Sequence, residues 1–441
     1  MTKTRICIVG GGSYNWTPIV LRDLAAMPDL AGTIVLHDIA PAALEDLQRL
    51  GRKIMAATGA NFAVEATTDL AEALRGAEFV IVTITTGGLE AMRHDLDIPR
   101  KYGIYQSVGD TVGPGGLARA LRNIPVLVEI GRAMERLCPD AWLLNLTNPM
   151  TTLTRALTRV TNLKVVGLCH ELFGVRSTIK EMFGATNQDL DMQVAGINHM
   201  IWLLGLKIRG QDGFQLIREY VQSGRRIPVR TAGVARLFES FRDHWKVKLA
   251  LFEVYGYLPA AGDRHLAEFF PYFLTEETRA GADYGVLLTT IEHRYEVARL
   301  AQASVRAWIE GTEPLPVERS EEEVADIIAA VANGRTLHTI VNLPNRGQID
   351  NLPREAVVET MGVVGPTGAH GISVGALPRG VLNTLYPHVI NQELIVDAAL
   401  RGDRQLALQA LLNDPLVRDF RSAPQMLDEL LKAHAAYLPQ F

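Results

Sequence analysis

The chain has only three cysteines in 441 residues, at positions 7, 138 and 169. That is no disulfide framework, and it fits a reducing compartment. No apolar run reaches the ~20 residues that a membrane-spanning helix needs. Met1-Thr2-Lys3-Thr4 leads directly into a β-branched segment instead of a cleavable signal. Cationic stretches are lacking as well. The net charge is −5 with acids and bases interspersed, so neither nucleic acid nor an anionic membrane is expected as a partner. Internal repeats and low-complexity tracts are missing, and Pro314 to Pro316 is the nearest thing to a linker. These absences leave a globular protein, expected in the cytoplasm, whose 48% hydrophobic content suffices for a large core.

What is present begins with a strand, a glycine turn and a helix. Arg5 to Val9 is a short apolar run, Gly10-Gly11-Gly12-Ser13 follows, and Pro18 to Met27 has helical apolar spacing. A second strand, Thr33 to Leu36, ends in His37-Asp38, which puts a carboxylate where dinucleotide folds hydrogen-bond the adenosine ribose. Asp38 favours NAD over NADP, because a carboxylate repels a 2′-phosphate. Asn15 stands where a strict G-x-G-x-x-G would have its third glycine, so the glycines by themselves also fit a plain tight turn. A third strand, Phe79 to Ile84, runs into Thr85-Thr86-Gly87-Gly88, a second glycine turn at a strand's carboxyl end. Open α/β sheets bind ligands there.

Further strands are expected at Trp142 to Asn145, Lys164 to Leu168 and Gln193 to Ile197. Cys169-His170-Glu171 lies just beyond one of them, and Asn198-His199 just beyond the last. Thiolate and imidazole together suit a transition metal. Spacing alone does not settle this, because thirty residues is no local metal motif; a buried core cysteine and a hydrogen-bonded histidine fit equally. Beyond residue 195 the pattern loosens into hairpin-like segments near Arg209 to Gly213 and long helices expected over 279–310 and 392–412. The expected fold is α/β. A Rossmann-like dinucleotide-binding domain with a parallel sheet spans 1–195, and a mixed α+β substrate, metal and oligomerisation domain spans 196–441, as in lactate and malate dehydrogenases.

Several motifs together resemble glycoside hydrolase family 4, the NAD- and metal-dependent glycosidases. They are Gly10 to Ser13 with Thr17-Pro18, Arg93 to Pro99, Gly109-Asp110-Thr111-Val112-Gly113-Pro114-Gly115-Gly116, Asn148-Pro149, Cys169-His170-Glu171, Gly196 to His199, and Asn345 to Ile349. The resemblance implies oxidation of the sugar at C3 by NAD⁺, loss of the acidified C2 proton, elimination of the glycosidic oxygen, water addition and return of the hydride. It also implies Mn²⁺ or another divalent metal held by Cys169 and His199. Gly10, Gly11, Gly12, Ser13, Asp38, Thr86 and Gly87 would hold the cofactor. Asn148, Glu171 and Asn198 would contact sugar, and Asp110 would assist proton transfer or orient water. For Asn148 a helix cap, and for Asp110 a turn-forming aspartate, are the structural alternatives.

Two departures bear on substrate and base. Phospho-glycosidases of this family have Asp or Asn after the ligand cysteine and a tyrosine as C2 base. Here the peptides are Cys169-His170-Glu171-Leu172 and Ala261-Gly262-Asp263-Arg264-His265. Asp263 is therefore the preferred base and His265 the second choice, with His170 as acid toward the leaving oxygen. Cys-His-Glu resembles the α-galacturonidase branch, so an acidic glycoside is the expected substrate, with Arg264 or Arg379 pairing its carboxylate. Other family 4 activities, a 2-hydroxy acid dehydrogenase and a non-catalytic NAD sensor are the competing readings. A homodimer or homotetramer is expected.

Overall fold

The computed structural model describes residues 1–229 and 237–441. Six strands run parallel: β1 (Thr2–Val9), β2 (Leu30–His37), β3 (Asn61–Thr67), β4 (Phe79–Val82), β5 (Trp142–Asn145) and β6 (Lys164–Gly167). Their order, β3-β2-β1-β4-β5-β6, is that of dinucleotide-binding folds. Three of them, β4, β5 and most of β1, are apolar on both faces because helices cover both sides of a parallel sheet. The sequence order reverses between β1 and β4, which opens a crevice at their carboxyl ends.

The sheet does not stop at β6. It continues through β11 (Leu337–Pro344), β12 (Val357–Gly365), β7 (Leu190–Ile197), β8 (Met200–Ile208) and β10 (Leu258–Pro259), all antiparallel. Two short strands attach to it, β9 (Gln211–Asp212) to β8 and β13 (Gly368–Gly371) to β12. The division expected at 195/196 thus falls inside β7. The C-terminal helices return to the first half: Val396, Leu411 and Leu427, each at most 1% exposed, share a core with Leu121 and Val80. At about 1.5–3 kcal/mol for each buried aliphatic side chain, these contacts make residues beyond 390 part of the nucleotide half's core.

Two long helices expected from the sequence are shorter or broken. Only Ile291–Glu310 of the 279–310 stretch is α-helical, with a single 3-10 turn at Ala282–Tyr284, because Gly281 and Gly285 take φ of +99° and +70° and Thr290 caps the helix by accepting the His293 N–H. The stretch expected at 392–412 is split into Arg379–Arg401 and Arg404–Asn413. Gly402 at the break has φ +66°, and a Cβ there would lie 1.8 Å from the Gln440 carbonyl oxygen. No helix among the described residues is long and apolar enough to cross a membrane.

Candidate active site

The glycine turn after β1 is set by steric necessity. Gly10 has φ +91°, and a Cβ there would sit 2.1 Å from the Thr83 carbonyl oxygen; one on Gly12 would meet the Asp38 carboxyl at 2.7 Å. The Gly12 N–H donates to Asp38 Oδ2 (2.9 Å), so the carboxylate expected at the ribose lies against the turn. Ser13 accepts the Trp16 N–H (3.1 Å) at the entry to the helix Thr17–Ala25. Across the crevice, after β4, the Thr86 N–H donates to Asn123 Oδ1 (3.0 Å), and Gly87, with φ +79°, opens the helix Gly88–Lys101. Two adjoining strand ends complete this side. Asn148 follows β5 and Cys169 follows β6.

The second part of the site is brought in by register. Gly167 pairs with Asn342, Asn342 with Glu359, and Glu359 with Gly196, so one row across β6, β11, β12 and β7 links the Cys169 peptide to the His199 peptide. Asn198 and His199 form the two-residue turn between β7 and β8, with Ile197 opposite Met200. His199 has φ +64°, a conformation that tight hairpin turns require. Asp110 reaches the same place from the loop after Lys101, and His265 from the short helix Asp263–Leu266.

Ligand atoms of Asp110, His199 and His265 lie within 4.8 Å of one another, and the two imidazoles stack with centroids 3.7 Å apart. Burial pushes His199 down to about 3, the neighbouring His265 adds to this, and burial also lowers His265. Both rings are neutral at pH 7. Burial works against ionisation of Asp110, but His265, His199, Arg119 and Arg294 outweigh it and hold the carboxyl well below its usual range. With the imidazoles neutral, the guanidiniums are the charges that remain.

The hydrogen-bond chain here has a defined polarity. Thr111 Oγ1 lies 2.7 Å from Asp110 Oδ1 and 2.7 Å from His199 Nδ1. An ionised Asp110 only accepts, so the Thr111 hydroxyl donates to it and accepts the His199 Nδ1–H. The His199 Nε2 lone pair is left free, which is the tautomer of a metal-binding imidazole. Thr111 was not singled out from the sequence by itself, although it sits in the Gly109-Asp110-Thr111 motif.

Cys169 is not among the three mutually close ligand groups. It is buried beside them; burial, then Glu359 and Glu171, push its thiol up, while the Asn198 side chain hydrogen-bonds to it. Asn198 is fully buried and its Nδ2 also donates to Glu359 Oε2 (3.4 Å). It therefore backs the cysteine, while its Oδ1 is buried without a partner among the described residues. Glu359, whose carboxyl burial pushes up to about 8, is a site residue not singled out in the strand sequence Val357 to Gly365.

The preferred base, Asp263, whose carboxyl burial raises to about 6, is held by a neighbouring helix. Asp263 is 2% exposed and accepts the Val247 N–H (3.2 Å) and the Lys248 N–H (3.0 Å), with Lys248 Nζ 3.2 Å away. It caps the helix Lys246–Tyr255 and pairs a buried ammonium, so both oxygens are occupied away from the cluster. Its neighbour His265 is the residue that enters the site. His265 Nε2 lies 3.8 Å from Glu171 Oε1, and its buried Nδ1 has no partner among the described residues. Glu171 accepts the Gly262 N–H (2.5 Å), and its carboxyl is lowered to about 2 as His265, His170 and His199 overcome the effect of burial.

His170 is half exposed, 3.7 Å from both Glu171 and Glu322, at the rim of this group. Arg264 stays inside: Nη2 donates to Thr289 (2.7 Å), the guanidinium covers the Phe241 ring at 4.5 Å, and Nε is buried without a partner. Arg379 is exposed in the first turn of its helix, and nothing places it with the cluster. Arg294, unremarked in the sequence, approaches instead, donating to the Val108 carbonyl (2.8 Å) and acting on Asp110 and Arg264. Asn148 Nδ2 donates to Asp110 Oδ2 (3.4 Å), and its Oδ1 is buried and unpaired.

A dinucleotide-type sheet whose crevice opens onto a carboxylate and two neutral imidazoles defines a class: a nucleotide-fold enzyme with a metal-competent centre. Sequence comparison gives the family. The profile of the family 4 glycosyl hydrolases matches residues 5–185, and that of the family's C-terminal domain matches residues 194–417. An α-galacturonidase of Bacillus subtilis is 36% identical over 441 aligned residues, covering 98% of both chains. The chain belongs to glycosyl hydrolase family 4. A crystal structure of a Bacillus subtilis protein described as a glucosidase superposes with a TM-score of 0.89 at 36% identity, covering 98% of this chain and 100% of that one. A 6-phospho-α-glucosidase from gut microorganisms, in complex with NAD and Mn²⁺, shares the fold with a TM-score of 0.85 at 23% identity over all of both chains.

Proposed function

We propose that this chain hydrolyses α-linked galacturonides through NAD-dependent oxidation at C3, loss of the C2 proton, elimination of the glycosidic oxygen, water addition and re-reduction. The observation that carries this reading is full-length similarity to an α-galacturonidase in a chain whose Cys169-His170-Glu171 peptide adjoins the Asp110, His199 and His265 cluster. The related 6-phospho-α-glucosidase supports the choice of NAD and Mn²⁺ as the groups bound. When bound, the nicotinamide supplies a reversible hydride acceptor and the metal supplies a Lewis acid at the sugar oxygens.

The residues fit both groups. A turn that tolerates no Cβ at Gly10 and carries Asp38 against Gly12 suits a dinucleotide, with Ser13, Thr86 and Gly87 completing its binding site. His199, with Nε2 free, and Cys169 would hold the metal, and Asp110 faces them. His265 accepts the C2 proton: it is neutral, its Nδ1 is unpaired, and it lies beside Glu171, which stabilises the imidazolium formed. His170 at the rim donates toward the leaving oxygen. Asn148 binds a sugar hydroxyl through Oδ1, and Arg264 pairs the uronate carboxylate.

Turnover of aryl α-galacturonide and α-galactoside with NAD⁺, Mn²⁺ and a thiol reductant in D₂O tests this. Galacturonide hydrolysis with deuterium at C2 of the product is expected. Hydrolysis without exchange, or in cofactor-free protein, would overturn the mechanism, and equal turnover of the galactoside would overturn the acidic substrate. The same reading carries a cytoplasmic homodimer or homotetramer, which light scattering of the purified protein and cell fractionation check.

A further inference from the structure

The helix Gly113–Leu137 buries three polar side chains on one face. Arg119, Arg122 and Asn123, spaced i, i+3 and i+4, are 7%, 0% and 0% exposed. Burying two guanidiniums and a carboxamide is unfavourable unless each is paired. Each one is, and the partners lie on two different loops.

On the nucleotide side, Asn123 Oδ1 accepts the Thr86 N–H (3.0 Å), Arg122 Nε donates to the Thr86 carbonyl (2.9 Å) and Arg119 Nη2 donates to the Thr85 hydroxyl (3.0 Å). On the other side, Arg119 Nε (2.9 Å) and Asn123 Nδ2 (3.3 Å) both donate to the Asn148 carbonyl, and Asn148 Nδ2 reaches Asp110 Oδ2 (3.4 Å). Arg122 is fixed from behind by both oxygens of the buried Asp95 (2.8 and 2.5 Å), and His434 lies 2.9 Å from the same carboxylate. Arg119 and Asn123 therefore each hold one group on the Thr85-Thr86 loop and one on Asn148.

We propose that Arg119 and Asn123 are positioning residues that couple the two loops, so that occupancy of the dinucleotide site and occupancy of the metal site change each other's affinity. The proposal rests on the functional reading above. A shift of Asn148, whose side chain donates to Asp110, is transmitted from its carbonyl through Arg119 to the Thr85 hydroxyl and through Asn123 to the Thr86 N–H. Linkage requires the effect to be reciprocal.

Equilibrium titrations of the full chain test this without turnover: NAD⁺ by calorimetry with and without saturating Mn²⁺, and Mn²⁺ by electron paramagnetic resonance with and without NAD⁺. In the wild type each ligand is expected to change the other's Kd by the same factor, at least about five-fold. In Asn123→Ala the factor should fall below about two-fold while each ligand alone binds within about three-fold of wild type. Arg119→Lys keeps the charge but cannot span both loops with one planar fork, so it should show the same loss. It is the second variant should Asn123→Ala fail to fold by circular dichroism. A wild-type factor of one, or a wild-type factor retained in the folded variants, overturns the proposal alone. Failure of either ligand to bind the wild type overturns the functional reading with it.

Discussion

The turn after β1 and the cluster beside the β7–β8 hairpin flank one crevice, yet they are assembled in opposite ways. The turn is nearly contiguous: Gly10 to Ser13 and Asp38 come from one strand–turn–helix–strand run, and only the Thr83 carbonyl against Gly10 comes from outside it. The cluster is remote. Asp110, His199 and His265 come from three separate elements, and the adjoining Cys169 from a fourth, aligned by strand register and by a two-residue turn. The difference teaches where substitutions should be separable. Damage to the turn should spread through backbone geometry, whereas damage to the cluster should remove one ligand and leave the scaffold.

The sharpest break in that comparison is His199→Ala. With the proposed metal ligand deleted, turnover of the proposed galacturonide substrate should fall on the order of 10³-fold or more, while the melting temperature and NAD⁺ affinity stay near wild type. A variant that keeps its Mn²⁺ titration curve would remove His199 from the ligand set.

Gly10→Ala should behave in the contrary way. The added Cβ meets the Thr83 carbonyl at a backbone angle that L-residues avoid, so unfolding by denaturant should show a loss above about 3 kcal/mol. An Ala variant with wild-type stability would mean that the turn relaxes and the local account is wrong.

A smaller effect separates two neighbours. Asp263→Asn removes a cap and a buried ion-pair partner, so it should cost about 2 kcal/mol of stability while folded protein still exchanges the C2 proton. His265→Ala should abolish exchange with less loss of stability. The reverse pattern would restore Asp263 as the base.

The smallest effect is expected at the surface. Arg379→Ala should change uronide binding by less than about 0.5 kcal/mol, whereas Arg264→Ala should cost about 1.5–3 kcal/mol. Equal losses in calorimetric titrations with galacturonate would bring Arg379 into the site.

The parallel half was legible because its signals are short-ranged: apolar runs mark β1, β4 and β5, and glycine turns mark the ends of β1 and β4. The long helices were read too generously because apolar spacing continues across 279–290 and 402, where glycines at positive φ turn the chain. Asp263 and His265 could not be ranked from sequence, since both have suitable chemistry and lie two residues apart. Only the docking of the helix Lys246–Tyr255, whose N-terminal N–H groups take the Asp263 carboxylate, separates them. Glu359 and Asn342 sit among apolar residues in ordinary-looking strands, and nothing in those sequences says that they belong to a buried polar row.

By itself the sequence determined the nucleotide fold, the identity of the glycine turn and the set of groups able to carry the chemistry, because side-chain type and backbone permissiveness are properties of single residues and their neighbours. Tertiary structure decided which of those groups meet. Register placed Gly167, Asn342, Glu359 and Gly196 in one row, a helix N-terminus claimed Asp263, and packing left Arg264 inside and Arg379 outside. Proximity across tens to hundreds of residues is fixed by the whole sheet and its cores, and no local pattern encodes it.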